Sequence, residues 1–271
     1  MRHAACGKEL WLSTSNPGIV SPSASALAYE DGIVIGGYGR HLRGLNAQSG
    51  AVLWRNTQWT VEERTPAEDR LALPGDGTAL IISRLNGLYR HDIKTGKALW
   101  CYKTLFANAT SVVDGNDVWL IGNSNELIKL NLSNCAKIAS TRSINCIAYS
   151  GTPAIAPGKM LLVGSAQKGL AAVDMATLAE KWRFTPEAAL VTTGDYASGN
   201  PPSVTASPLV DGNFVWIPAN DGYLYKLFLS NGTVCKKLHI GAPLLTKCAI
   251  SGQCLYLYDM TGRVFAINRE F

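Results

Sequence analysis

Apolar positions along this chain fall in short alternating runs, each cut off by glycine, asparagine or aspartate. The stretch from residue 23 shows the grain: "SASALAYEDG" leads into "IVIGGYG", then "HLRGLNA", a turn at "QSG", and "AVLWRN". Runs of roughly five to seven residues between turn signals predict β-strands joined by tight hairpins. Apolar spacing of 3.6 residues does not persist anywhere, so no helix is expected. Gly50, Gly96 and Gly232, in "SG", "TG" and "NG", suit the positive φ of a bulged hairpin. Gly115, Gly158, Gly212 and Gly252 mark the turn before it.

The strand pattern repeats. "HAACGKELW" (3–11), "LNAQSGAVLW" (45–54), "HDIKTGKALW" (91–100) and "VDMATLAEKW" (173–182) align directly. "LNLSNCAKIA" (130–139) and "LFLSNGTVCK" (227–236) are weaker copies. A four-stranded unit recurring every roughly 40 to 50 residues predicts one propeller blade per unit. The expected fold is all-β, a six-bladed propeller of four-stranded antiparallel blades forming a single domain over 1–271. Its closure is expected from the ends of the chain. "CLYLYDMTGRVFAINREF" supplies the inner strands of the last blade and the N-terminal "CGKELWLST" its outer strand, which removes two exposed edges.

Composition agrees with an ordered, turn-rich protein: 47% of the 271 residues are apolar, 17% are charged, and 26 are glycine. The net charge of +5 is scattered without a basic stripe, which argues against nucleic-acid binding. No apolar run reaches the ~18 residues of a membrane span, and "MRHAACGKELW" lacks the apolar core of an export signal. A soluble, monomeric chain is expected. The seven cysteines form no CxxC pair, which removes zinc-ribbon, thioredoxin and haem readings. Cys248 and Cys254 flank a hairpin and are placed either to pair or to remain buried thiols.

The pattern LxxxxGKxLW, preceded by a glycine-rich strand pair as in "SRLNGLYRHDIKTGKALW" (83–100), "GSAQKGLAAVDMATLAEKW" (164–182) and "ANDGYLYKLFLSNG" (219–232), resembles the PQQ-like propeller repeat. That repeat occurs in quinoprotein dehydrogenases and in the propeller lipoprotein of the outer-membrane β-barrel assembly machine. The resemblance implies a periplasmic or extracellular protein. Quinoprotein enzymes of this type hold pyrroloquinoline quinone (PQQ) beside calcium, with adjacent cysteines and a carboxylate and amide set. No Cys-Cys pair exists here, so no cofactor and no metal are expected, with PQQ and calcium left as the alternative.

Trp11, Trp54, Trp100 and Trp182 are expected to wedge against the neighbouring blade rather than to form a ligand platform. His3, His41, His91 and His239 fall at unrelated repeat positions and are expected at the surface or in turns. Asn46, Asp92, Asn131, Asp174 and Asn268 precede the hairpin turns and are expected to cap them. "DGND" (114–117) and "GDG" (75–77) lack the ligand spacing of calcium loops. No catalytic set emerges.

Two insertions break the period, "TQWTVEERTPAED" (57–69) and "PEAALVTTGDYASGNPPS" (186–203). Both connect an outer strand to the next inner strand, which in a propeller places them at one mouth of the channel. Long loops on a rigid scaffold are where binding residues concentrate. The candidate rim is Trp59, Glu62, Glu63 and Arg64 on one side, with Asp195, Tyr196 and Asn200 on the other. Arg70, Asn108, Tyr149, Thr205 and Lys247, with Ser25, come from inner strands near the same mouth. The leading reading is a non-catalytic scaffold recognising a protein or glycan partner with this face. The alternative is an enzyme at the channel mouth, either a quinone- or metal-dependent sugar or alcohol oxidoreductase or a hydrolase using Glu62, Glu63 and Asp195 as acid and base.

Overall fold

A computed structural model describes residues 8–12, 28–38, 41–56, 66–83, 87–104, 110–122, 125–144, 151–192 and 199–270. Every regular element longer than a single turn among them is a strand. The first sheet comprises β1 (Ala28–Glu30), β2 (Ile33–Tyr38), β3 (His41–Asn46) and β4 (Val52–Asn56), and the second β5 (Pro66–Ala72), β6 (Thr78–Ser83), β7 (Gly87–Asp92) and β8 (Ala98–Tyr102). The third holds β9 (Val112–Asp114), β10 (Asp117–Ile121), β11 (Leu127–Asn131) and β12 (Lys137–Thr141). The fourth holds β13 (Ala154–Ala156), β14 (Met160–Ser165), β15 (Gly169–Asp174) and β16 (Glu180–Phe184). The fifth holds β17 (Leu209–Asp211), β18 (Phe214–Pro218), β19 (Tyr223–Phe228) and β20 (Val234–His239). The last has three described strands, β21 (Ala249–Ser251), β22 (Cys254–Tyr258) and β23 (Val264–Asn268). Strands neighbour one another in chain order within each sheet, as the repeat predicts.

The chain forms two compact units. Unit one is Met1–Asn116 with Asn131–Ala136, and unit two is Asp117–Leu130 with Lys137–Phe271.

The turn between the third and fourth strands is built the same way in both units. Asn46 Oδ1 accepts from the amides of Gln48 and Ser49 at 3.0 and 2.9 Å, and Asp174 Oδ1 accepts from Ala176 and Thr177, both at 2.9 Å. Asp92 and Asn131 repeat the arrangement, and Asn268 accepts from the Glu270 amide. These short polar residues therefore cap turns. The bond from the Thr177 amide, followed by the Lys181 ammonium and the Ala176 amide, holds the Asp174 carboxyl well below the ordinary carboxylate range.

The repeated tryptophan joins one sheet to the next through that turn. In unit one, the indole N–H of Trp54 donates to Ile93 O at 2.7 Å, and that of Trp100 to Leu132 O at 2.8 Å. In unit two, Trp182 donates to Leu229 O at 3.1 Å. The rings lie flat on turn glycines. A Cβ on Gly96 would sit 2.3 Å from the Trp54 ring, and one on Gly232 would sit 2.4 Å from the Trp182 ring. Both glycines also have φ near +70° (70° and 71°), so the position excludes side chains on two counts.

The two weaker repeat copies are compensated. Ala139 and Lys236 stand where tryptophan stands elsewhere, and each pairs with a lysine on the third strand, Lys129 and Lys226. In both sheets a tryptophan appears instead on the second strand, Trp119 or Trp216, fully buried, with the lysine ammonium 5.1 or 4.8 Å from its ring. Lys226 also lies 4.6 Å from the Phe214 ring and donates to Arg269 O at 3.1 Å. That carbonyl occupies the repeat position of Leu229 O. In the fifth sheet a cation over aromatic rings thus replaces the indole N–H as donor to the next sheet's turn, whereas Lys129 in the third pairs with Asp117 at 2.7 Å.

Two apolar cores hold unit two together. Leu162, Leu170, Phe184, Val215, Ile217, Tyr225 and Leu227 pack between the fourth and fifth sheets. Trp216, Leu224, Leu244, Cys248, Leu255 and Leu257 pack between the fifth and the last. Cys248 and Cys254 are both free thiols, and burial pushes the Cys248 pKa up to about 12. One expectation fails. His91 is 1% exposed, not superficial, because the third-strand position it holds faces the core and Gly96 O lies 3.2 Å from its Nδ1. Burial lowers its pKa, against a smaller opposing effect of the Gly96 carbonyl.

Candidate functional site

Successive strands run in opposite directions, so the turns between second and third strands and the connections leaving the fourth strands share one end of unit two. The connection after β16 is held there by its backbone. The Gly169 amide donates to Pro202 O at 3.1 Å, Val204 N to Ser165 O at 2.9 Å, and Leu190 N to Asn220 O at 2.9 Å. A bridge between Ala188 and Pro202 closes its stem. Thr192 Oγ1 donates to Gly199 O at 2.9 Å nearer the tip. The insertion at 186–203 is thus a stemmed loop pinned to the turns of two sheets.

Two buried carboxyls organise this end. Asp221, 4% exposed, accepts from Tyr225 Oη at 2.6 Å, from the Glu187 amide at 2.9 Å and from the Tyr223 amide at 3.0 Å. Burial, with the Asp221 hydrogen bond next in size, raises the Tyr225 pKa far above its ordinary value and keeps the phenol a donor. Outside this core, Lys237 pairs with Glu187, which raises the lysine pKa, and its ammonium lies 3.8 Å from the Tyr223 ring centroid.

Asp259 holds the corresponding turn of the last sheet. It accepts from Thr261 Oγ1 at 2.7 Å, from the Thr261 and Arg263 amides, and from Arg263 Nε at 2.7 Å. Burial works against the charged form, but the Thr261 and Arg263 bonds outweigh it and hold the carboxyl down to about 2. The unfolded value is about 3.9. Since the folded pKa is the lower one, Asp259 stabilises the fold above about pH 4 and loses that contribution as pH falls toward 2. Asp259→Asn is expected to flatten the stability profile in that window, measured by urea unfolding at pH 5, 4 and 3. An unchanged slope would show that the turn is indifferent to the charge.

Of the residues expected at the rim, Thr205, Asn200 and Lys247 are described. Thr205 Oγ1 donates to Asn220 Oδ1 at 3.0 Å, so it braces the loop stem. Asn200 is exposed and accepts from Thr192 Oγ1 at 3.3 Å, and Lys247 is exposed. Trp59, Glu62, Glu63, Arg64, Asn108, Tyr149, Asp195, Tyr196 and Ser25 lie outside the described residues, as does the side chain of Arg70. Two aliphatic residues at this end were not anticipated. Leu190 is 52% exposed and Met260 59% exposed, although Leu190 N and Met260 N are both tied into the fold. Leu190 lay inside the insertion, but its rank in the repeat carried no signal.

Among the described residues, no three histidine, cysteine, aspartate or glutamate side chains come together to hold a metal ion. The described cysteines are dispersed over β8, β20, β22 and two loops.

The sequence profile of a family described as outer membrane protein assembly factor BamB matches residues 3–238. The chain belongs to this BamB family. Its PQQ-like repeats and β-propeller character follow from that membership and from the solved structures it resembles. BamB from Moraxella catarrhalis superposes with a TM-score of 0.70 at 19% identity, over 93% of this chain and 74% of that one. The C-terminal WD40 domain of Sif2 gives 0.70 at 14% identity, over 91% and 67%. A quinohemoprotein alcohol dehydrogenase from Pseudomonas putida HK5 gives 0.61 at 13%, over 81% and 42%. At these identities the likeness is one of fold. No curated protein sequence matches the chain.

Proposed function

We propose that this BamB-family chain is a non-catalytic, monomeric propeller scaffold that binds a protein partner in outer-membrane protein assembly, in the periplasm. The observation that carries the reading is the exposed pair Leu190 and Met260 on rigidly anchored backbone at the end where the long connection emerges. Apolar side chains held out from anchored backbone are buried by a partner at little cost in ordering the loop. A glycan is the second reading: Trp182 and Trp216 are committed to packing between sheets, but Tyr256 and Tyr258 on β22 are 41% and 51% exposed. No helix among the described residues is long and apolar enough to cross a membrane.

The scaffold is read as six blades closed by residues 8–12. Each unit supports this separately. In unit one, Trp11 donates to Ala47 O at 2.9 Å and its ring covers Gly50, repeating the contact of an outer-strand tryptophan with the next turn. In unit two, the last sheet has three described strands, and β23 carries Ala266 at the register position that opposes tryptophan in the fourth sheet, Ala172. Strand 8–12 would complete that sheet with Trp11 opposite Ala266.

The binding face is tested by placing a photocrosslinking amino acid at Leu190, Met260 or Val234 in cells. Val234 is 48% exposed but lies at the opposite end of its sheet. Adducts with outer-membrane or assembly proteins are expected from Leu190 and Met260 and not from Val234. Equal labelling at all three, or none at the first two, would remove this face from the proposal.

A further inference from the structure

Every sheet of the repeat has a row of residues one step beyond the tryptophan row. In the second sheet the row is Ile81, Tyr89 and Cys101, in the fourth Val163, Ala171 and Arg183, and in the fifth Ile217, Tyr225 and Lys237. The last sheet carries Leu257 and Phe265 there. Its central member is therefore apolar or aromatic, flanked by an aliphatic residue. The first sheet departs completely. Its row is Gly36, Arg43 and Arg55.

Arg43 is only 8% exposed, and its Nε has no hydrogen-bond partner. Its cross-strand neighbour is a second arginine, and like charges directly opposite in a sheet repel. Burial, and after it the charge of Arg55, lowers the Arg43 pKa. No ion pair of either arginine with a carboxylate is present among the described residues. A buried guanidinium N–H left without an acceptor costs more than an apolar residue in the same place. Gly36, opposite Arg43 on β2, adds no side chain to the row.

We propose that Gly36, Arg43 and Arg55 form a binding site for one oxyanion, a carboxylate or phosphate group. The Nε edge of a guanidinium is a two-donor fork matched to such groups. An anion held between Arg43 and the exposed Arg55 cancels their repulsion and satisfies the orphaned donor. The two sources of such a group are a free oxyanion and the acidic side chain of a bound peptide.

The test is calorimetric titration of the full chain with inorganic phosphate and, separately, with acetyl-tetraglutamate, at ionic strength matched with sodium chloride. Saturable binding of at least one probe is expected. Arg55→Ala should weaken it at least tenfold while the protein stays folded. Arg43→Met should abolish it and leave the melting temperature in chloride equal to or above that of the parent, because an apolar side chain suits the row. Phosphate binding alone assigns a free oxyanion, and tighter tetraglutamate binding assigns an acidic peptide. No saturable binding of either probe overturns the proposal. So does an Arg43→Met protein that melts lower in chloride and binds as the parent does, which would mean that Arg43 is paired within the fold. Should Arg43→Met fail to fold, Arg55→Ala decides alone, since unchanged affinity there refutes a two-arginine site.

Discussion

Trp182→Ala is expected to destabilise unit two by about 3 kcal/mol, near the low end for removing a packed tryptophan because the ring is half-buried. Three contributions vanish together. The ring leaves the face of Gly232, the core between the fourth and fifth sheets loses a wall, and Leu229 O loses its indole donor. Trp182→Phe separates them, because it keeps most of the ring and loses only the hydrogen bond, for about 1 kcal/mol. Urea unfolding followed by circular dichroism measures both. If the two variants were equally unstable, the hydrogen bond and not the packing would join the sheets. If neither differed from the parent, the repeated tryptophan would have no part in sheet-to-sheet contact.

Asp221→Ala is expected to cost roughly 3 kcal/mol or more, from buried donors left without an acceptor at about 1 to 3 kcal/mol each. The Tyr225 hydroxyl is the largest of these, since the residue is 3% exposed and water cannot replace the carboxyl. Tyr225→Phe alone should cost about 1 kcal/mol. The double variant should then be less destabilised than the sum, because the phenylalanine removes the orphaned hydroxyl. Because the Glu187 amide is released as well, limited proteolysis should cut the connection between Leu190 and Asn200 faster in Asp221→Ala than in the parent. Additive free energies and unchanged cleavage would mean that Asp221 is not the anchor of this loop.

Much of the fold was legible because each turn repeats the same chemistry. The aspartate or asparagine before the hairpin, the glycine within it and the outer-strand tryptophan act as one device, and a device repeated at fixed spacing is visible without coordinates. The copies at 130–139 and 227–236 were legible only as weak ones. What replaces their tryptophan, Lys129 over Trp119 and Lys226 over Trp216, comes from two other strands and is apparent only when the pairing register is known. His91 was misplaced for the same reason, since which face a strand residue occupies depends on register. At the proposed site, the insertion at 186–203 marks the connection whose stem Asp221 holds through the Glu187 amide. Asp221 and Asp259 did not stand out, because an aspartate one or three residues before a glycine reads as an ordinary turn residue. Their significance lies in what they accept from, which spacing does not encode.

One closed scaffold of six repeats, as proposed, needs residues 8–12 as the fourth strand of the last sheet. Amide hydrogen exchange along Val264–Asn268 tests this most directly. In β23 alternate amides bond to β22, and the others face the outer edge. The outward amides should be protected in the full chain and should exchange rapidly once residues 1–12 are removed, while those facing β22 stay slow. Fast exchange of the outward amides in the intact chain would show that edge to be open and would contradict the closed ring.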